Sequence, residues 1–454
     1  MMDEFEITRL TLSPIAALIK RGQLSPVKLM EVCLSRIERL NPRLNAFLTV
    51  MGESALREAV HAAEALQRGS DWGPLHGVPV GVKDLIDVAG VRTTAGSDFM
   101  RDYVAADDAE VIRRLRGAGA IIIGKTHLHE FAIGVTTVNP HYGPARNPWN
   151  LDCSPGGSSG GSGAAVAAWL CPAALGTDTG GSVRVPAALC GLTGLRPGKG
   201  HISTQGVVPM AWSLDTVGPM AHTAQDVALM LDVLDRRGIS YTQGLEEPPA
   251  RLRVGVPQDD FFWLETNYQV VAAVRTAVER LAEQGMEIVE ITLPMTAELL
   301  PLSRLLSGAE AAAFHRERLA NEPHRFGADV RERLEVALKH TAVEYALARQ
   351  AGRQWRQVLH HLFREQVDVI LTPASPVPAP EIAGIENVAA SRVLVRFTYP
   401  FSLSALPALS VPCGFTDDGL PVGMQLVAPE EMTVLRVAHL YQQVTGWHAR
   451  RPEL

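Results

Sequence analysis

A serine hydroxyl attacks a carbonyl only when a base takes its proton and donors receive the developing oxyanion. Three stretches of the sequence carry groups of those types. Pro155-Gly-Gly-Ser158-Ser159-Gly-Gly-Ser162-Gly leads into an alanine-rich segment, and Gly176-Thr-Asp178-Thr179-Gly180-Gly181-Ser182-Val-Arg184-Val-Pro186 follows it. Flexible linkers are also rich in Gly and Ser, but linkers are not interleaved with an apolar helix and strand. In a tight glycine-rich turn, backbone N–H groups converge on one point, as an oxyanion hole requires. The third stretch, Gly77-Val-Pro-Val-Gly-Val-Lys83-Asp84-Leu-Ile-Asp87, puts a lone lysine at the end of an apolar strand. Lost solvation there lowers the amine pKa and leaves a neutral base. Taken alone, that segment reads better as a surface lysine paired with Asp84 or Asp87.

The elements that must position these groups follow from the apolar pattern. Residues 11 to 68 read as helices, with Leu29, Val32, Cys33, Ile37 and Leu40 at three- and four-residue steps before Asn41-Pro42 breaks the pattern. Short apolar strands then recur at Val78–Val82, Ala120–Ile123, Ala173–Gly176, Arg253–Val256, Glu287–Ile291 and Val367–Thr372. Amphipathic helices separate them, an alternation that specifies an α/β layered architecture. Thr223 caps a helix running to Asp235, and Asn267 caps another with Val271, Val274, Val278 and Leu281 on its apolar face. A polar, Arg-rich helical stretch from 309 to 365 reads as an insertion over one face of the core, shaping a pocket or forming a solvated outer layer.

Two other patterns lead away from a cofactor. Gly119-Ala-Ile-Ile-Ile-Gly124-Lys125-Thr126 satisfies the phosphate-loop pattern and makes a nucleotide-binding protein the rival from another class. The β-branched run within it reads as a buried strand preceded by a helix, the reverse of the strand-loop-helix order that cradles phosphate. His127-x-His129-Glu130 offers two metal-type ligands without a third partner, so no metal is expected. Trp149, Trp169 and Trp212 read as core or as pocket wall.

The 454 residues hold 46% hydrophobic and 20% charged side chains, a globular balance that excludes disorder as the main theme. A formal charge of -7 lacks the basic excess a nucleic-acid partner needs. Five widely spaced cysteines point to a reducing compartment. The acidic start MMDEFEITRL reads unlike a signal peptide, and the longest apolar stretch is too short to cross a membrane, so a cytoplasmic location is expected.

Together the three stretches resemble the amidase signature family of serine hydrolases. Their spacing, 75 residues from Lys83 to Ser158 and 24 from Ser158 to Ser182, fits as well. The likeness extends through GPLHGVPVGVKDLIDVAGVRTTAGS (73–97), YGPARNPWN (142–150), VVPMAWSLDTVGPMAHT (207–223) and LPALSVPCGFTDDGLPVGMQLVAP (406–429). It implies a single large domain, a mixed β-sheet sandwiched between layers of α-helices. Its parts would be an N-terminal helical layer at about 5–68, a signature core at 69–240, a variable helical insertion at 295–365 and the rest of the core at 366–445. It also implies Ser182 as nucleophile, Ser158 as bridging serine after a cis peptide from Gly157, and Lys83 as base. The N–H groups of Thr179, Gly180, Gly181 and Ser182 would form the oxyanion hole. Asp178 and Arg184 would brace the loop, Ser159 would support the relay, and no cofactor is implied.

Within the family, the tRNA-dependent amidotransferase subunit releases ammonia from glutamine and works with partner chains. The sequence departs from it at Thr341–Arg356, which lacks a Gly-Tyr-Tyr-rich stretch, and after Pro429, where Glu-Glu-Met-Thr replaces a Phe-Asp-Glu-like run. Val185 stands where a malonamide-type site carries a carboxylate-binding Arg. The expectation is therefore a stand-alone bacterial amidase or aryl acylamidase, monomeric or homodimeric, with no nucleic-acid or membrane partner. Carbamate (urethane) or ester hydrolysis on the same triad is the alternative, and the role of the tRNA-dependent amidotransferase chain is a further one. Pocket walls are expected from 131–142, 206–212 and 300–345. Ile133, Val135, Val138, Val207, Met210 and Leu305 there hint at a hydrophobic substrate.

Overall fold

Strand and helix alternate along a chain whose computed structural model describes residues 2–246 and 251–454. Its strands are β1 (Phe47–Val50), β2 (Pro79–Lys83), β3 (Ile121–Thr126), β4 (Ala173–Asp178), β5 (Thr193–Arg196) and β6 (Thr216–Ala221). The later ones are β7 (Arg253–Pro257), β8 (Glu287–Ile291), β9 (Val369–Pro373), β10 (Ala408–Phe415) and β11 (Pro421–Val427). They join in one sheet of eleven strands, ordered β1-β3-β2-β4-β6-β5-β10-β11-β9-β7-β8. The sheet is mixed: β2 runs parallel to both β3 and β4, and β6, β5, β10 and β11 run alternately antiparallel. Helices flank this sheet in a single α/β domain, as expected from the sequence.

Several local expectations shift. The N-terminal layer is not all helical. Helix Pro26–Leu44 runs through Pro42 and ends at Asn45, whose φ of 49° turns the chain. The Asn41 side-chain oxygen collects the N–H groups of Ala46 and Phe47, and the next residues pair with β3 as the edge strand β1. Thr223 caps helix Ala224–Leu234 through a capping box with Asp226. Asn267 caps Tyr268–Glu283, but the buried face there is Val270, Val274, Ala277 and Leu281, with Val271 and Val278 at its flank.

The phosphate-loop look-alike is absorbed by the sheet. Gly124, Lys125 and Thr126 lie inside β3. The fully buried Lys125 pairs with Asp84 at 2.8 Å and donates to Thr93 Oγ1, so that ammonium is committed to the core. The insertion is not a solvated layer either. Helices Thr296–Asn321 and Ala342–Glu365 pack onto Tyr399–Ser404, Ala328–Ala337 packs onto Thr296–Asn321, and the buried Trp355 indole donates to Pro400 O at 2.8 Å. Trp169 is likewise core, its indole donating to Leu10 O, whereas Trp149 packs on Phe415 and Trp212 is half exposed. No helix among the described residues is long and apolar enough to cross a membrane, and all five cysteines are free and buried.

Candidate active site

The neighbouring parallel strands β2 and β4, third and fourth in the sheet order, end side by side, and it is outside the carboxyl ends of parallel strands that α/β folds gather their ligands. Lys83 closes β2 and is fully buried. Its Nζ lies 2.7 Å from Ser158 Oγ and 2.8 Å from Thr177 Oγ1 on β4. Burial lowers the amine from 10.5 to about 7, against the opposing pull of the Asp215 and Asp178 carboxylates. Because Asp84 is committed to Lys125, the surface-pair reading of Lys83 does not hold.

Ser158 sits in a turn held from all sides. The Gly157–Ser158 peptide bond is cis. Ser158 O accepts from His129 N, Gly156 O accepts from Thr137 Oγ1, and Gly160 N donates to that same threonine. A Cβ on Gly161 would come within 2.4 Å of His127 N and 2.5 Å of Ala46 O, so helix Gly160–Ala167 reaches this depth only with glycine there. Ser159 serves the adjoining strand, its Oγ donating to Thr177 O and accepting from Thr177 N, both at 3.2 Å. It thereby fixes the threonine that touches Lys83.

The second turn, 178–183, is pinned through its carbonyl oxygens. Asp178 O accepts from Arg196 and Thr216 Oγ1, Gly180 O from Thr398 Oγ1, Gly181 O from Val185 N, and Ser182 O from Ser159 N at 3.2 Å. With the carbonyls turned outward, the N–H groups of Thr179, Gly180 and Ser182 have no partner among the described residues. Gly181, expected beside them as an oxyanion donor, differs. Its N–H is taken by Asp178 Oδ1 at 2.8 Å because the carboxylate folds under the turn. Gly181 has φ of +137°, and a Cβ there would meet Thr398 Oγ1 at 2.2 Å.

Asp178 and Arg184 form a buried bidentate pair, with 2.9 and 3.0 Å contacts. Arg196, which sequence reasoning missed, adds a second guanidinium at 3.3 Å. Burial favours protonation of Asp178, but the two guanidiniums outweigh it and hold the carboxyl well below its usual range. Asp215 was also missed, although it lies in the 207–223 stretch that carries the family likeness. Its Oδ1 accepts from Thr179 Oγ1 at 2.5 Å, and its Oδ2 from Met210 N and Ala211 N at 2.9 Å each. Burial raises its pKa against those bonds.

Ser182, Thr179 and Gly180 open onto a cavity of about 280 Å³. Its walls come from 132–135, Met210, the helices of the insertion, and 388–399, a segment without a motif that sequence reasoning did not mark. Ile133, Val135, Met210 and Leu305 line it as expected, whereas Val138 pairs with Pro144 and Val207 packs into the core. Arg304, Arg333 and Arg392 also line it. The His127/His129/Glu130 trio turns to separate partners. His127 faces Asn45 O, His129 reaches Asp329 at 2.9 Å, and Glu130 accepts from Ser97, His141 and Gly327. No group of three His, Cys, Asp or Glu side chains among the described residues is placed to hold a metal ion.

Comparison with known proteins bears on this geometry. The family model described as Amidase matches residues 28–433. The A subunit of the glutamyl-tRNA(Gln) amidotransferase of Roseiflexus castenholzii (strain DSM 13941 / HLO8) is 41% identical, covering 98% of each chain. A solved structure from a vestigial protein complex, studied for the evolutionary origins of an s-triazine catabolic enzyme, superposes with TM-score 0.91 at 32% identity. The match covers 98% of this chain and 100% of that one. A crystal structure of an amidase superposes with TM-score 0.87 at 33% identity, covering 96% and 99%.

Proposed function

The chain belongs to the amidase signature family, whose members act on C–N bonds, and from that premise we propose that it hydrolyses a small amide through an acyl-enzyme on Ser182. The observation that carries this reading is the uncharged-amine geometry: a fully buried Lys83 with a pKa of about 7 whose Nζ lies 2.7 Å from Ser158 Oγ. The Ser158 hydroxyl donates to the Lys83 lone pair and in turn takes the Ser182 proton as Ser182 Oγ attacks the carbonyl. The N–H groups of Thr179, Gly180 and Ser182 receive the oxyanion, each donor worth about 3–4 kcal/mol to the transition state. Gly181 supports them indirectly, through Asp178. The relay then protonates the leaving nitrogen, which departs only as a neutral amine or ammonia, and water attacking along the same path releases the acid.

A carbamate or ester presents the same tetrahedral geometry and enters the same scheme. The test is turnover of matched amides, anilides, carbamates and esters by the parent and by Lys83→Ala, Ser158→Ala and Ser182→Ala. The reading requires loss of turnover in all three variants, and the order of substrates in the parent sets the class. Equal turnover by Ser182→Ala excludes the mechanism.

A second reading, which the named relatives favour more directly, is the A subunit of a tRNA-dependent amidotransferase. It keeps the same triad but makes glutamine the amide and partner chains obligatory. The purified chain distinguishes the two: turnover of simple amides without partners supports the stand-alone amidase. Glutamine turnover that appears only on adding amidotransferase partner chains supports the second reading.

A further inference from the structure

Three guanidiniums share the cavity with Ser182, and none of them pairs with a carboxylate among the described residues. Arg304 projects from helix Thr296–Asn321, Arg333 from Ala328–Ala337 and Arg392 from Asn387–Leu394, so three separate elements converge on one space. Arg304 and Arg333 are half-buried, and Arg392 is exposed toward the mouth. No carboxylate oxygen among the described residues lies within 4.0 Å of any of the three. Arg333 Nη2 donates to Asn387 O at 3.0 Å, but its Nε is buried without a partner among the described residues. The nearby acids are committed or remote. Asp329 holds His129, Glu310 accepts from Ser213 N and Tyr345, and Glu332, the carboxylate that lines the cavity, is exposed at its rim.

Arg304 and Arg333 are partly withdrawn from water without an ion-pair partner among the described residues, which costs stability, so structural bracing does not account for the arrangement. Burial pulls both Arg304 and Arg333 below their ordinary range, and the charge of Arg392 adds to the shift on each, while Asp329 and Glu332 offset part of it at Arg333 without closing an ion pair. A bound anion would offset the cost at Arg304 and Arg333 and meet Arg392 at the mouth, and a planar guanidinium fork matches a carboxylate in two hydrogen bonds. Tyr399, whose hydroxyl is 2.8 Å from Ser307 Oγ, lines the same wall and supplies a further polar contact.

We propose that the substrate is an anionic amide, its carboxylate seated among Arg304, Arg333 and Arg392 while its amide carbonyl faces Ser182. The proposal rests on the amidase reading above and deepens it. The anchor is not the Val185 position that the sequence brings into question but a cluster spread over three helices. It also replaces the expected hydrophobic substrate: Ile133, Val135 and Leu305 line the space for a short aliphatic chain, with charge recognised beyond it. At about 280 Å³ the cavity lies at the small end of ligand pockets, so a short acid amide is the size expected. An α-ammonium group, as in glutamine, would enter a field of three cations with only the rim carboxylate of Glu332 to meet it.

The test compares succinamate and glutaramate with their neutral diamides and with glutamine. In the parent, the acid amides are favoured over the diamides by about tenfold or more in kcat/KM, and the preference shrinks as salt is raised. Arg304→Gln, Arg333→Gln and Arg392→Gln each cut that preference by about tenfold, mainly through KM, and Arg→Lys at the same positions restores part of it. Calorimetric binding of succinamate to Ser182→Ala gives the second readout. Arginine-dependent binding without turnover in the parent would leave the anion site standing and remove the hydrolase reading. Turnover of diamides as efficient as that of acid amides, unaltered in Arg392→Gln, would overturn the anion site and leave the hydrolase standing. A glutamine preference over both acid amides also overturns it.

Discussion

Lys83 gives the most quantitative prediction, because its environment fixes both a rate profile and a stability profile. The amine titrates near 10.5 in the unfolded chain and at about 7 in the folded one. Between those values the unfolded state holds the extra proton, so stability from this position is present above about pH 10.5 and lost as pH falls toward 7. At about 1.4 kcal/mol per pKa unit, the loss is about 4 kcal/mol at pH 7 and about 1 kcal/mol at pH 9.5. Lys83→Met removes the titration, so its stability advantage over the parent should be about 3 kcal/mol larger at pH 7 than at about pH 9.5, read from urea midpoints at both. The rate profile follows from the same number. With an amide that does not titrate between about pH 5 and 9, kcat/KM should rise with unit slope and level off near pH 7, lying about a hundredfold below the plateau at pH 5. A parent-to-variant stability gap that is equal at both pH values, together with a flat acid limb, would refute the neutral-amine argument.

The surrounding network makes further predictions. Asp215 opposes the downward shift of Lys83, so Asp215→Asn should move the acid limb of kcat/KM to lower pH; a limb that stays in place or moves up disproves the coupling. Arg184→Met leaves a buried carboxylate with only Arg196 and should reduce unfolding stability by about 3–5 kcal/mol in urea titration, whereas a loss below about 1 kcal/mol counts against a structural ion pair. Gly181→Ala places a Cβ at 2.2 Å from Thr398 Oγ1 on a backbone with φ of +137°, so kcat/KM should fall by about a hundredfold as the turn shifts; unaltered kinetics would show that the turn tolerates displacement.

The chemistry of this chain is more legible in its sequence than its recognition surface. Lys83, Ser158 and Ser182 are picked out because two glycine-serine turns and a strand-end lysine, which alone reads as a surface residue, together resemble the amidase signature at the family's spacing. The sheet follows from runs such as Ala173–Gly176, whose apolar character is itself local. Asp215 and Arg196 carry no such signal, since their partners, Thr179 and Asp178, are brought to them by strand pairing between β4, β5 and β6. Strand β1 is hidden because its four residues follow a strong helix, and the turn depends on Asn41 and Asn45. The family resemblance implies Gly181 as a donor, while the carboxylate that claims its N–H becomes visible only in three dimensions. The arginines carry no joint signal for the same reason: Arg304, Arg333 and Arg392 are 29 and 59 residues apart in sequence, and only packing brings them to one cavity.

Covalent labelling of the nucleophile tests the central claim most directly. The parent, treated with a serine-directed fluorophosphonate and digested, should carry the adduct on the peptide containing Ser182. Labelling should slow sharply in Lys83→Ala and vanish in Ser182→Ala. An adduct on another residue, or labelling of Ser182→Ala at the parental rate, would contradict the account.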